Sequence, residues 1–153
     1  MNYWLMKSEP SVFGIEHLAK AKNSTTGWDG VRNFQARNYL QEMRKGDLAF
    51  FYHSSCEIPG IAGVAAVQRE AYPDPTQFDK KNDHYDPKSD PENPRWYMVD
   101  VKLVRKFDAV IPLDELRKHA GGKLKDMIVL KRGNRLSITP VTKSEWSFIE
   151  SLA

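Results

Sequence analysis

The 153-residue sequence predicts a single α+β domain in which strands and helices follow one another without a regular repeat. Two continuous apolar runs of strand length, residues 47–53 and 60–67, indicate neighbouring buried strands at the centre of a sheet. Segments with apolar residues three and four positions apart indicate helices beside that sheet. Because the length suits one core and no linker divides the chain, we expect one domain over residues 1–153.

The first elements are an aromatic-rich strand at residues 2–7 and a helix with the spacing Ile15, Leu18 and Ala19. A second helix that ends at Gly46 is predicted from an apolar stripe of four residues: Ala36, Tyr39, Leu40 and Met43. The two buried strands then follow, at residues 47–53 and 60–67.

The second half of the chain continues with a half-exposed strand, because apolar and polar residues alternate over residues 96–107. Pro112 begins a short helix that the glycines at 121 and 122 end. A last strand is predicted at residues 135–141, and the capping box of Thr142 and Glu145 begins a closing helix.

A Pro-rich segment without periodicity, residues 72–95, lies between the predicted strands at residues 60–67 and 96–107. A loop of that length in a compact domain is either a functional flap or a surface excursion, here held by Tyr72, Phe78 and Tyr85. Asp83, His84 and Asp86 are of metal-binding types, but no helical or strand spacing brings them together, so we expect no metal there.

Composition narrows the function classes. The net charge is +3, and residues 101–153 carry eleven Lys or Arg against six Asp or Glu, which favours an anionic partner. No apolar run reaches the roughly 20 residues that span a bilayer, and no secretory signal is recognisable, so we expect a cytoplasmic protein without membrane association. A single cysteine, Cys56, and the absence of phosphate-loop, dinucleotide and zinc-protease motifs predict no cofactor.

The segment TTGWDGVRNFQARNYL, residues 25–40, carries the main candidate site. Trp28 offers a flat face on which a base can stack, while Arg32 and Asn33 offer hydrogen-bonding groups at the start of a helix. In the alternative interpretation, Trp28 is a core residue and Arg32 pairs with a nearby acid. The local spacing leaves both interpretations open.

Polar residues also follow two strands. Lys7, Ser8 and Glu9 come directly after the first strand, either at a pocket mouth or in a solvated turn. His53 ends a buried strand, and its spacing to Cys56 is only a weak indication of thiol catalysis.

Motifs over nearly the whole chain, taken together, resemble the EVE domain family. They stand in the order WLMKSEP (4–10), WDGVRNFQARN (28–38), AFFYHS (49–54), PGIAGVAAV (59–67), AYPDPTQFD (71–79), HYDP (84–87), WYMVDV (96–101), IPLDEL (111–116) and RLSITPV (135–141). The resemblance implies a PUA-like, bent mixed β-barrel surrounded by helices and related to YTH domains.

For function, the resemblance implies a non-enzymatic reader of DNA or RNA that captures a modified base, such as methylated or hydroxymethylated cytosine. Carried onto this chain, the base-binding residues are Lys7, Ser8, Trp28, Asp29, Val31, Arg32, Asn33, Tyr52, His53, Ser54, Arg135 and Ser137. The basic connector 121–134 is expected to contact phosphates. The chain starts at its first strand without the basic tail of eukaryotic members, which again favours the cytoplasm.

Two other function classes remain open. PUA-like relatives include hydrolases and nucleases, and here such chemistry would depend on Lys7, Glu9 and His53. A protein-interaction adaptor is the third class, favoured if neither oligonucleotides nor nucleosides bind.

Overall fold

A computed structural model describes all 153 residues as six strands, five helices and three short three-ten turns. The strands are β1 (Tyr3–Ser8), β2 (Thr25–Gly27), β3 (Leu48–His53), β4 (Gly60–Pro73), β5 (Tyr97–Pro112) and β6 (Ile138–Val141). The helices are α1 (Pro10–Phe13), α2 (Ile15–Lys20), α3 (Phe34–Glu42), α4 (Leu113–Arg117) and α5 (Lys143–Leu152). The three-ten turns are Lys22–Ser24, Pro75–Phe78 and Ile128–Leu130. None of the helices has the length and apolar character needed to cross a membrane.

The six strands form one mixed sheet in the order β2-β5-β4-β3-β1-β6. β1 pairs in parallel with β3, and the other neighbouring pairs are antiparallel. Neighbouring side chains of a strand point to opposite faces, and Phe50 and Phe51 of β3 enter two different hydrophobic clusters. Both faces of the central strands are therefore buried, which explains their continuous apolar sequence and confirms the predicted pair of neighbouring buried strands.

The two clusters lie on opposite faces of the sheet. The first contains Trp28 and the buried side of α3, including Ala36 and Leu40. The second contains Trp146 of α5, whose indole stacks on Phe50 at 3.8 Å between ring centroids. α2 and α3 cover one face, and α4 and α5 cover the other.

The expected mixed α+β architecture is confirmed, but the sheet is not closed into the barrel that the resemblance implied. Closure requires every strand to have a partner on both sides. The first and last strands of the order, β2 and β6, are not paired with each other. β2 is only three residues long and β6 only four, so both remain short edges.

Several element boundaries differ from the prediction. β4 and β5 are longer than expected, because register shifts along their pairing let long strands bend while the hydrogen bonding continues. β2 has too few residues to show a pattern, and residues 135–137 precede β6. α3 ends at Glu42 rather than Gly46, which has a φ of 95° in the turn before β3. The predicted helix from Pro112 to the glycines is only the five-residue α4 followed by turns.

The capping box of the closing helix is confirmed. Thr142 Oγ1 accepts a hydrogen bond from the Glu145 N–H at 3.1 Å, and Glu145 Oε1 accepts one from the Thr142 N–H at 2.9 Å. The reciprocal pair satisfies two backbone donors at the start of α5.

Candidate functional site

A cavity of about 470 Å³ opens beside residues 28–33, the loop that joins β2 to α3. Eight of the twelve predicted site residues line it: Lys7, Ser8, Trp28, Asp29, Val31, Arg32, Asn33 and Ser137. Sequence reasoning missed six further lining residues: Val12, Phe13, Thr26, Gly27, Gly30 and His84. Two other surface cavities, of about 480 Å³ and 620 Å³, contain none of the predicted residues.

Trp28 takes part in both the core and the cavity wall. Its side chain is only 8% exposed and packs edge to face against Phe51, with ring centroids 5.4 Å apart. Its backbone N–H donates to the Val99 carbonyl at 2.7 Å, which extends the hydrogen bonding of β2 to β5. Together with buried Val31, the remaining edge of the indole gives the cavity an apolar wall. The two interpretations of Trp28 are therefore compatible.

Asp74, at the end of β4, holds this loop in place. The carboxylate is fully buried, and its Oδ2 accepts from the Gly30 N–H at 2.8 Å and from Arg32 Nη1 at 3.0 Å. Its Oδ1 accepts from the N–H and Oγ1 of Thr76 at 2.8 and 2.6 Å. Burial by itself raises the pKa of the Asp74 carboxyl, but the bonds from Thr76, Gly30 and Arg32 outweigh it and lower that pKa.

The hydrogen-bond donors of the Arg32 guanidinium are therefore already used in bonds to other residues of the protein. Besides Asp74, it donates from Nε to the His84 carbonyl at 3.0 Å and from Nη2 to Thr76 Oγ1 at 2.9 Å. Of the two sequence interpretations of Arg32, the structure contains the ion pair. Its donor fork fixes the shape of the cavity wall, and its charge is neutralised.

The loop after β4 reaches the cavity at Gly30, where its His84 side chain contacts the segment between β2 and α3. Gly30 has a φ of 78°, and a Cβ built there would lie 2.6 Å from His84 Cε1, so the imidazole packs directly on the glycine. Only glycine takes this backbone conformation without strain and also leaves room for the ring. His84 therefore acts as a side wall of the cavity.

A network of polar bonds centred on Gln77 anchors the Pro-rich loop. Fully buried Gln77 donates from Nε2 to the carbonyls of Asp74 and Trp96, and its Oε1 accepts from Ser89 Oγ. Tyr72 lies within β4 and bonds to Asp100 of β5. The aromatic anchor that the sequence interpretation did not name is Trp96.

The metal-capable residues of this loop do not converge. No group of three or more His, Cys, Asp or Glu side chains in the structure could hold a metal ion. Asp86 instead accepts a hydrogen bond from Trp96 Nε1 at 2.7 Å, while His84 packs on Gly30.

Four predicted residues lie outside the cavity lining: Tyr52, His53, Ser54 and Arg135. Tyr52 belongs to the cluster on the opposite face of the sheet, where burial raises its pKa. His53 Nε2 accepts the Ile15 N–H at 3.1 Å and so caps α2, and burial lowers the pKa of this imidazole. Because that lone pair is already used, His53 is poorly placed to act as a base for the alternative hydrolase.

Two charged side chains at the cavity form no side-chain hydrogen bond or ion pair with the protein, although the Lys7 ammonium lies 5.8 Å from the centroid of the Tyr52 ring. Asp29 is exposed and forms neither a side-chain hydrogen bond nor an ion pair. Lys7 is half-buried and forms no ion pair, and burial lowers the pKa of its ammonium group. Asn33 caps α3 through Oδ1, which accepts from the Ala36 N–H at 3.0 Å and leaves the amide nitrogen available. The cavity thus presents an acceptor, a cation and an amide donor beside an apolar wall.

Comparison with known proteins places the chain in a family. The sequence profile of the EVE domain matches residues 2–152. Thymocyte nuclear protein 1 from Homo sapiens is 51% identical over 166 residues, covering 99% of this chain and 73% of the human protein. The Danio rerio protein of the same name is 51% identical over 164 residues, covering 97% of this chain and 71% of its own length.

Solved structures agree with the sequence comparison. The structure of human THYN1 in complex with DNA containing 5-methylcytosine superposes with a TM-score of 0.95 at 50% identity, covering 99% of this chain and 97% of that one. A protein from Pseudomonas putida superposes with a TM-score of 0.93 at 47% identity, covering 98% of both chains. The fold described above is therefore shared with these proteins.

Proposed function

The chain belongs to the EVE domain family, as its sequence motifs predicted, and from this membership we propose that it reads a methylated cytosine in DNA. In this proposal an extruded base enters the cavity beside residues 28–33 and is bound without chemical change. One observation carries the proposal: the cavity collects eight of the predicted base-binding residues in a chain 50% identical to a protein that binds 5-methylcytosine DNA.

Asp29 is the group that we assign to recognition of cytosine. The exocyclic N4 amine of cytosine is a hydrogen-bond donor, whereas thymine has the O4 acceptor at the same position. The unpartnered carboxylate of Asp29 accepts from N4 and repels O4. The free amide nitrogen of Asn33 and the ammonium of Lys7 are donors for the acceptor atoms of the base or for its phosphate.

The apolar wall of Trp28 and Val31 is the part that we assign to the methyl group. Burying one methyl contributes about 1 kcal/mol. That free energy corresponds to roughly fivefold in affinity. We therefore expect modest discrimination between methylated and unmodified cytosine, and strong discrimination between cytosine and thymine.

The phosphates are assigned to the exposed basic segment before β6. Lys131, Arg132 and Arg135 are exposed and form no ion pair, and the segment leads directly to Ser137 in the cavity lining. The salt dependence of binding reports such contacts, because each one releases counterions and makes the slope of log affinity against log salt more negative by about 0.9.

The test measures binding of duplexes that carry cytosine, 5-methylcytosine or thymine at one position, by fluorescence anisotropy of the labelled DNA. Wild type is expected to bind 5-methylcytosine best and thymine worst. Asp29→Asn is expected to lose most of the discrimination against thymine, because an amide can also donate to O4. Asp108→Asn, which changes an exposed carboxylate on β5 outside this cavity, is the matched control.

Equal affinity for the three duplexes, or identical behaviour of Asp29→Asn and Asp108→Asn, contradicts the proposal. Mass spectrometry of the DNA after incubation separates binding from catalysis. Released base or cleaved strand would support the hydrolase alternative.

A further inference from the structure

An exposed valine stands at the rim of the cavity. Val12 of α1 is 73% exposed, and it lines the cavity beside Phe13. The other large apolar side chains that are exposed, Met1, Phe34, Ile58 and Val104, are not part of this lining. An apolar side chain left in water at the mouth of a binding cavity is a feature that the mechanism described above does not use.

The short helix that carries Val12 is firmly attached to the rest of the protein. Ser8 Oγ donates to the Phe13 carbonyl at 2.7 Å, and the Phe13 ring stacks on His17 with centroids 5.6 Å apart. The Val12 N–H donates to the Glu9 carbonyl at 3.0 Å. Val12 is therefore exposed on an ordered support, and its β-branched side chain has few rotamers to lose on contact with a ligand.

Extraction of a base from a duplex leaves a gap between the neighbouring base pairs and costs a few kcal/mol of stacking and pairing. Proteins that distort DNA commonly insert an apolar side chain between base steps. From the placement of Val12, we propose that its side chain enters the position that the extruded base vacates. This inference rests on the proposed function, and it implies that the ligand of this cavity is double-stranded DNA.

Phe34 is the competing candidate because it directly follows Asn33 of the cavity lining and is 53% exposed. Its ring, however, is stacked on Trp96 with centroids 4.8 Å apart, and the Arg37 guanidinium lies 4.9 Å from its centroid. Insertion of Phe34 between bases would break these contacts. No such aromatic or cationic contact holds the Val12 side chain.

The experiment compares Val12→Ser with Val104→Ser, which makes the same change at a 56% exposed position on β5 outside the cavity. Each variant is titrated with a 5-methylcytosine duplex and with the corresponding single strand. Val12→Ser is expected to weaken duplex binding roughly five- to tenfold, because the apolar contact with the neighbouring bases is lost. Single-strand binding stays within about twofold, since no gap has to be filled there. Val104→Ser is expected to leave both affinities unchanged.

Equal losses on duplex and single strand, or no loss on either, would overturn the role of Val12. Failure of the proposed function has a different signature, since wild type would then not distinguish 5-methylcytosine from thymine even in the single strand, and the inference would fall with it. Unchanged urea midpoints of both serine variants confirm that folding is intact. A fluorescent base analogue placed beside the methylated cytosine adds a direct readout. Val12→Ser is expected to alter the stacking of this analogue and therefore its emission.

Discussion

Replacement of Asp74 by alanine removes the acceptor on which the cavity wall depends. The carboxylate accepts four hydrogen bonds, from the Gly30 N–H, from Arg32 and from two donors of Thr76. Asp74→Ala leaves a guanidinium whose side chain is only 20% exposed without its counter-ion. Loss of one partner of a buried ion pair costs about 3–5 kcal/mol. Because Arg32 keeps some contact with water, we expect a value near the lower limit.

Urea unfolding followed by circular dichroism measures this effect. For a slope of about 2 kcal/mol per molar urea, a loss of about 3 kcal/mol lowers the midpoint by roughly 1.5 M. Asp79→Ala is the control, because that carboxylate is exposed in the same loop and accepts only from the Lys81 N–H. Its expected cost is below about 1 kcal/mol.

A second substitution tests whether Arg32 and Asp74 act as a pair. Arg32→Ala in the Asp74→Ala background is expected to cost much less than Arg32→Ala alone, because the ion pair is already lost. Equal costs in the two backgrounds, or equal midpoints for Asp74→Ala and Asp79→Ala, would refute the reasoning. Binding of 5-methylcytosine DNA is expected to weaken in parallel with the loss of this pair, since Gly30 and Arg32 line the cavity.

Three further predictions test other parts of the structure. Gly30→Ala is expected to destabilise the protein by more than the about 1–2 kcal/mol of a left-handed conformation, because the methyl group also displaces His84. Gly46 has a φ of 95° and free space around it, so Gly46→Ala measures the conformational cost alone. The difference between the urea midpoints of the two variants then gives the cost of displacing His84. In wild type the unfolding free energy is expected to fall as the pH drops below about 6.5, since the unfolded chain binds a proton that the partly buried His53 of the folded chain resists. His53→Gln flattens the urea midpoint against pH over that window. Thr142→Ala removes the cap of α5 and is expected to cost about 1 kcal/mol, which lowers Tm by roughly 2–4 °C at this size.

Each of these expectations has a contradicting result. Identical midpoints for the two glycine variants would exclude a clash with His84. A pH profile that is the same in wild type and His53→Gln would show that another group titrates in that window. An unchanged Tm of Thr142→Ala would show that the capping box does not stabilise α5.

Local sequence patterns predicted the elements whose physics is local. The Thr142 capping box acts over three residues, and the apolar stripe of α3 lies on one face of a single helix, so both are readable from spacing. The continuous apolar run of β3 predicted burial on both faces. Boundaries were less predictable, because β4 and β5 extend beyond their apolar parts through pairing with each other.

In the candidate site, too, the local features were predicted and those that join distant segments were not. Trp28, Asp29 and Val31 share one short segment and were predicted together, whereas Asp74 was not named at all. The ion pair of Asp74 joins residues 42 positions apart, and nothing in the spacing of either segment indicates the other. The resemblance assigned His53, at the end of β3, to the pocket, but its imidazole turns to the start of α2.

Residue types and interactions within a few positions were enough to predict the family, the α+β class, the central buried strands and the segment around Trp28. Contacts between distant segments were needed to show that the sheet stays open, which of the predicted polar residues share a cavity, and which of them keep free donors or acceptors. Each polar side chain has a limited number of hydrogen-bond donors and acceptors, so its partners within the fold determine what remains for a ligand. Arg32 cannot hold Asp74 and read a base with the same donors, and only the folded chain shows that Asp74 is there.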